Sequence, residues 1–205
     1  MASHLTRGAY LIPRHLDLLD EALVWASQTP DARLIVTMPP RHGKSETCSH
    51  WLPVWYLWWY PAHRIILCSY EADFASSWGR KARNTIWQYE DQLGLKLAQD
   101  TQAANRWETM QGGGMITAGV GGPITGKGGD LIIVDDPVKN AEEAESEVMR
   151  EKIWQWWITT AYTRLEPNGS AVVIQTRWHH DDLGGRLIES TMKGGEKWHV
   201  INLPA

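Results

Sequence analysis

Cysteine is nearly absent. The 205 residues include 2, Cys48 and Cys68, without metal-ligand spacing between them. A disulfide framework is excluded, and reduced thiols in a soluble, intracellular protein are expected. Long apolar runs are also missing. The most tempting stretch, 51–70, is broken by Pro53, Pro61, His63 and Arg64, and the N-terminus is interrupted by Pro13 and by charges before a signal-peptide core can form. No membrane partner is expected. Positive charge is not in excess either: the net charge is −4, so no global basic field holds nucleic acid, and any DNA contact must use a local patch. There is no internal repeat and no low-complexity tail. Phenylalanine occurs once, against 13 tryptophans. Trp51, Trp55, Trp58 and Trp59 share one helical stripe and Trp154 and Trp157 another, which predicts aromatic core faces rather than a stacking surface or subunit interface.

What is present suffices for one folded α/β domain, since 43% of the residues are hydrophobic. Leu16, Leu19, Leu23 and Ala26 lie on one stripe of a helix over 14–26. Short, apolar, β-branched runs at 34–38, 64–69, 131–134 and 171–175 read as buried strands. Residues 112–129 form a glycine-rich loop or hairpin in which 115–120 stays strand-like. Helices are predicted after Ser45, over 71–93, over 142–165 and from an Asp181 cap through Ser190, with a last short strand at 200–203. Strands alternating with helices predict a mostly parallel sheet covered on both faces.

The strand at 34–38 runs into Pro39-Pro40-Arg41-His42-Gly43-Lys44-Ser45 and then a helix. Such a strand–loop–helix aims backbone N–H groups and a helix dipole at anionic oxygens. Gly43 lets the backbone approach phosphates, Lys44 supplies a point charge, and Ser45 offers a hydroxyl to Mg²⁺. Met38 occupies the first glycine position of the GxxxxGK[ST] pattern. Arg41 reads either as a second phosphate cation or as a solvated loop charge.

Leu131-Ile132-Ile133-Val134-Asp135-Asp136-Pro137 is a natural partner for that loop. Asp135 emerges at the carboxyl edge of a buried strand, where open α/β sheets bind ligands, and would hold Mg²⁺ through water. Asp136 would position or deprotonate the attacking water, with Glu142 or Glu143 as alternatives because Asp is a methylene shorter than the usual Glu. The strand at 171–175 ends in Thr176-Arg177, whose polar tip can sense the γ-phosphate. His179, His180, Asp181 and Asp182 lack the spacing of a metal site and read as the start of a capped helix.

Together MPPRHGKSE (38–46), GVGGPITGKGGDLIIVDDPVKNAEEAES (119–146) and VVIQTRWHHDDLGGRL (172–187) resemble the ATPase motor domain of the large terminase subunit of tailed bacteriophages and prophages. Supporting segments are 68–86 and 156–167, so the likeness covers nearly the whole chain. It implies an ASCE-type P-loop NTPase fold, with a helical lead-in at 1–30 and the NTPase core at 31–205, the C-terminal nuclease domain being absent. It implies ATP and Mg²⁺ as cofactors: Arg41, His42, Gly43, Lys44, Ser45, Glu46 and Thr176 at the nucleotide, Ser45 and Asp135 at the metal. Asp136, Lys44 and Arg83 would be catalytic, Arg83 being preferred over Arg80 as an arginine supplied to the γ-phosphate. The implied partners are double-stranded DNA without sequence preference, the portal and procapsid, the small terminase subunit and further copies in a ring, in the cytoplasm of the bacterial host. Lys127, Lys139, Lys152 and Arg164 are candidate DNA contacts. The rival readings are a helicase-like or repair ATPase, a small-molecule kinase, and a non-catalytic scaffold with a remnant nucleotide site.

Overall fold

The computed structural model describes residues 1–124, 126 and 128–203. Lys127 therefore lies outside the described residues. A short α1 (Ala2–Leu5) and α2 (Arg14–Gln28) lead into β1 (Arg33–Thr37). After the loop at 38–43 the chain turns helical and widens to i→i−5 bonding over Glu46–Trp51, with the Leu52 N–H reaching the Thr47 carbonyl, before α3 (Leu52–Trp59). The wide turn lies directly ahead of Pro53, which has no N–H and whose ring crowds the carbonyl four residues back in a regular α-helix. Then follow β2 (Arg64–Ser69), α4 (Ala72–Gln88), α5 (Glu90–Leu93), β3 (Leu97–Ala103), β4 (Arg106–Thr109), β5 (Gly114–Gly119) and β6 (Gly129–Asp135). The last elements are α6 (Ala141–Glu145), α7 (Glu147–Trp156), β7 (Leu165–Gln175), α8 (Leu183–Met192) and β8 (His199–Asn202).

The strands form one sheet in the order β3-β4-β5-β2-β6-β7-β1-β8. From β5 to β8 every neighbour pair is parallel, while β3, β4 and β5 pair antiparallel at one edge. The central strands are apolar on both faces because both faces are covered. Leu34, Val36, Ile65, Leu67, Leu131, Ile133, Val172 and Ile174 point to the side of α2, α3 and α4. Their alternates Ile35, Ile66, Cys68, Ile132, Val134, Ala171 and Val173 pack beneath α7 and α8. Each fully buried aliphatic of this kind contributes about 1.5–3 kcal/mol over its exposed state, so the sheet is a rigid base for its carboxyl edge.

Four sequence expectations need correction. The helix expected over 142–165 breaks at Ser146, whose extended backbone (ψ 113°) and side chain cap α7 by accepting the Met149 N–H; past Trp156 it unwinds through a wide turn and a tight one. The helix over 71–93 is interrupted at Tyr89. The cap of α8 is Asp182, which accepts the Gly185 N–H at 2.8 Å, because Asp181 is engaged by Arg150 and Arg186. The tryptophan stripe over 51–59 is only half core: Trp51 is buried, whereas Trp58 and Trp59 are 42% and 54% exposed. The antiparallel β3–β4 hairpin has no counterpart in the sequence reading.

Candidate active site

The carboxyl ends of β1, β6 and β7 meet because β7 lies between the other two in register, pairing Val36 with Ile174 and Asp135 with Ile174. The loop after β1 is anchored at its start, where the Met38 N–H donates to the Gln175 carbonyl at 3.2 Å. Met38, at the missing first glycine, puts its side chain into the core and is 3% exposed, so the departure from the pattern fills a packing position. Arg41 (φ 64°) and Gly43 (φ 87°) then turn left-handed and fold the loop back on itself before the helix starts at Lys44. A Cβ at Gly43 would stand 3.2 Å from Leu16 Cδ1, so α2 closes the back of the loop. The first residues of that helix, whose N–H groups have no partner within it, border an open cleft of about 270 Å³ between the loop and Asp136.

Lys44 is 4% exposed, and its ammonium donates to Asp136 Oδ2 and to Thr176 Oγ1, the latter at 3.1 Å. Asp136 Oδ1 accepts the Thr176 N–H at 2.8 Å, and the Asp136 N–H donates to the Ile174 carbonyl at 2.8 Å. Asp136 has φ 44°, a left-handed backbone that few non-glycine residues adopt, and it stands directly before Pro137. That turn swings the carboxylate off the strand line and back over Lys44.

Asp135 is fully buried. Its Oδ1 accepts from Ser45 Oγ at 3.1 Å, its Oδ2 from Ser49 Oγ at 2.7 Å, and its carbonyl from Ser69 Oγ at 2.6 Å. Burial and the neighbouring Asp136 charge push its carboxyl up to about 6, against the pull of Ser49, Lys44 and Ser45. Ser45 lines the cleft and the Asp135 carboxylate is buried directly behind its hydroxyl, a set of hard oxygen donors that suits Mg²⁺. Burial of an unneutralised carboxylate is costly, and a divalent cation offsets that cost, so the residues present fit the metal.

The remaining predicted residues divide. His42 holds the loop from outside: its Nδ1–H donates to the Pro40 carbonyl at 2.8 Å, and His15 bonds the His42 carbonyl at 3.1 Å. Glu46 lines the cleft, but its carboxylate faces away along the helix, to His50 Nδ1 at 2.8 Å and Lys81 Nζ at 2.5 Å. Burial works to raise its pKa, yet these two bonds prevail and bring it to about 2. Burial lowers the pKa of His50 in turn, so its neutral ring donates from Nδ1 to Glu46 while Nε2 accepts from Thr85 at 2.7 Å. Arg83 is not in the cleft of its own chain: it lies on α4 and donates to the Gln102 carbonyl and to Asn84 Oδ1. Glu143 serves α6, where it accepts the Lys139 N–H and donates its own N–H to the Asn140 cap; Glu142 is exposed on the same helix. Among the described DNA-contact candidates Lys139 and Lys152 are exposed and Arg164 is partly buried. Ser49 escaped the sequence reading. Its one signal was its place four residues after Ser45, on the side of the helix that meets β6.

Comparison with solved structures agrees with this architecture. The crystal structure of the HK97 bacteriophage large terminase matches with a TM-score of 0.55 at 14% identity, over 89% of this chain and 38% of that one. A large terminase from a thermophilic bacteriophage gives a TM-score of 0.47 at 11% identity, over 90% of this chain and 44% of that one. The chain therefore spans about two fifths of the length of these terminases, and its fold is that of a P-loop NTPase. No curated protein matches it in sequence. The family model described as terminase large subunit, T4likevirus-type, N-terminal, matches residues 35–205, which runs from β1 through every strand of the sheet, and the chain belongs to that family.

Proposed function

We propose that the chain is an ATP-hydrolysing motor domain that drives double-stranded DNA into a procapsid. The observation that carries this reading is the meeting of Lys44, Ser45, Asp135, Asp136 and Thr176 from three elements at one sheet edge, next to a loop that turns its backbone inward. Gly43 and the first helical N–H groups bind the phosphates, with Lys44 as their cation and Arg41 at the rim. Ser45 and Asp135 hold Mg²⁺, which when bound neutralises charge on the β- and γ-phosphates. Asp136 orients the attacking water and takes its proton; the left-handed turn that carries the carboxylate over Lys44 favours this shorter side chain in a place where Glu is usual. Thr176 touches both Lys44 and Asp136, so a change at the phosphates is felt at the tip of β7. Arg83, partly exposed on α4, would exchange its Gln102 and Asn84 partners for the γ-phosphate of a neighbouring copy. In that case a ring, assembled with the portal and the small terminase subunit, is the active form, and DNA is gripped through its backbone without sequence preference.

The test is Mg²⁺-dependent ATP hydrolysis with and without linear double-stranded DNA, over a range of protein concentrations, beside Lys44→Ala. Turnover that requires Lys44 and climbs steeply with DNA or concentration is expected, because an arginine supplied by a neighbour is worth about 10³ or more in rate. Absence of both turnover and ATP binding would overturn the motor and leave the scaffold reading. ATP-dependent phosphorylation of a small molecule without DNA stimulation would favour a kinase.

A further inference from the structure

We infer that Ser49 is a positioning residue for the metal site: it fixes the Asp135 carboxylate so that Oδ1 is the oxygen presented beside Ser45. This inference rests on the nucleotide-site reading above. Both carboxylate oxygens carry a serine hydroxyl, but the two bonds differ. Ser49 Oγ lies 2.7 Å from Oδ2 with both residues fully buried, whereas Ser45 Oγ lies 3.1 Å from Oδ1 and Ser45 borders the cleft. The short, dry bond is the permanent one. The long bond, at the cleft, is the one a cation would replace.

The helix geometry explains why a serine can do this. The wide i→i−5 turn spans Glu46–Trp51; Ser49 lies within it and Ser45 directly before it, and both reach the end of β6. One helix thus supplies a hydroxyl at the cleft and, four residues later, the group that orients the carboxylate next to it. Carboxylates that bind metals are commonly oriented by such outer hydrogen bonds, and removing one typically lowers metal affinity about 10–100-fold.

Ser69 provides the control. It is equally buried and its hydroxyl also bonds Asp135, at 2.6 Å, but to the backbone carbonyl. A purely structural role for Ser49 would make Ser49→Ala and Ser69→Ala alike. The measurement is Mn²⁺ binding in the presence of a non-hydrolysable ATP analogue, read from the free-ion EPR signal, with analogue binding in excess Mg²⁺ and thermal melting recorded for each variant. Ser49→Ala is expected to weaken Mn²⁺ about tenfold or more, with analogue affinity at saturating Mg²⁺ nearly unchanged; Ser69→Ala lowers the melting temperature without moving the Mn²⁺ curve. Equal Mn²⁺ curves for wild type and Ser49→Ala, or equal shifts in the two variants, overturn the inference while leaving the nucleotide site standing. Wild-type protein that binds the analogue with no metal requirement overturns the site reading, and the inference with it.

Discussion

Replacing Asp136 with Asn should make the protein bind ATP more tightly while it hydrolyses ATP less. In the structure the Lys44 ammonium, 5% exposed, is held between Asp136 Oδ2 and Thr176 Oγ1, and the Asp136 side chain is 25% exposed. Lys44 must give up the carboxylate to reach a phosphate, so nucleotide binding works against an existing ion pair. A hydrogen bond to a charged partner is worth about 1.5–3 kcal/mol and a neutral one about 0.5–1.5. Asn keeps the shape, tolerates the left-handed backbone and leaves a neutral acceptor for Lys44. With a discount for the partly exposed carboxylate, the pair gives up about 1 kcal/mol to binding, or roughly fivefold in Kd. Fluorescent ATP-analogue titration measures the affinity, and a steady-state assay measures turnover, which should fall at least 100-fold if Asp136 acts on the water, at about 10²–10⁴ for a general base. The gain should persist in roughly 0.5 M salt, because screening at a few ångströms suppresses through-space repulsion more than a direct contact. Unchanged or weaker affinity would refute the reasoning, as would a gain that disappears with salt.

Three further outcomes follow from packing and charge. Trp107 is fully buried and its indole N–H donates to the Gly79 carbonyl at 2.9 Å, so Trp107→Phe should cost about 2–4 kcal/mol in urea unfolding, from the orphaned carbonyl together with the space left by the lost ring. A Cβ at Gly113 would lie 2.3 Å from the His63 carbonyl oxygen and 2.4 Å from that of Pro61, so Gly113→Ala should cost about 3 kcal/mol or more and show as a lower melting temperature or loss of soluble protein. Asp181 is held to about 2 by bonds from Arg186, and further by Arg150, from an ordinary value of 3.8. Because the folded pKa is depressed, this carboxylate stabilises the fold fully above pH 3.8 and loses that contribution as the pH falls toward 2. Asp181→Asn should therefore melt below wild type at neutral pH, by no more than about 1 kcal/mol per pair lost, and the two curves should converge in acid.

The central strands were legible because a sheet covered on both faces needs uninterrupted apolar residues, and 64–69, 131–134 and 171–175 have little else. The edge hairpin was not. Leu97–Ala103 reads Leu-Ala-Gln-Asp-Thr-Gln-Ala, mostly polar and largely solvent-facing, so its pairing with β4 comes from the partner strand rather than from its own pattern. The break at Ser146 was hidden because the apolar period on its two sides joins without a gap, and a capping serine looks like any other helical serine. Asp181 and Asp182 are both good helix caps; Arg150 from α7 and Arg186 from α8 itself take both oxygens of Asp181, whereas Asp182 meets Arg177 through Oδ2 and keeps Oδ1 for the cap. At the site, sequence spacing brought out Lys44, Ser45, Asp135, Asp136 and Thr176, and these five do come together. Glu46 and Arg83 face elsewhere for the same reason in each case: a nearer partner, Lys81 with His50 for one, Gln102 with Asn84 for the other, takes the charge.

The left-handed backbone of Asp136 sets two demands on one position against each other. A glycine there would relax the left-handed backbone, although Asp tolerates that conformation better than most residues, and the chain, which uses 18 glycines elsewhere, has no general aversion to them. The same exchange would delete the carboxylate that holds Lys44. Backbone conformation and side-chain pairing thus ask for different residues at position 136, and glycine would leave the buried Lys44 ammonium and the Thr176 N–H without the carboxylate that pairs with them, a larger loss than the relaxed backbone returns. The strained turn at 136 is therefore held in place by the partners of its side chain.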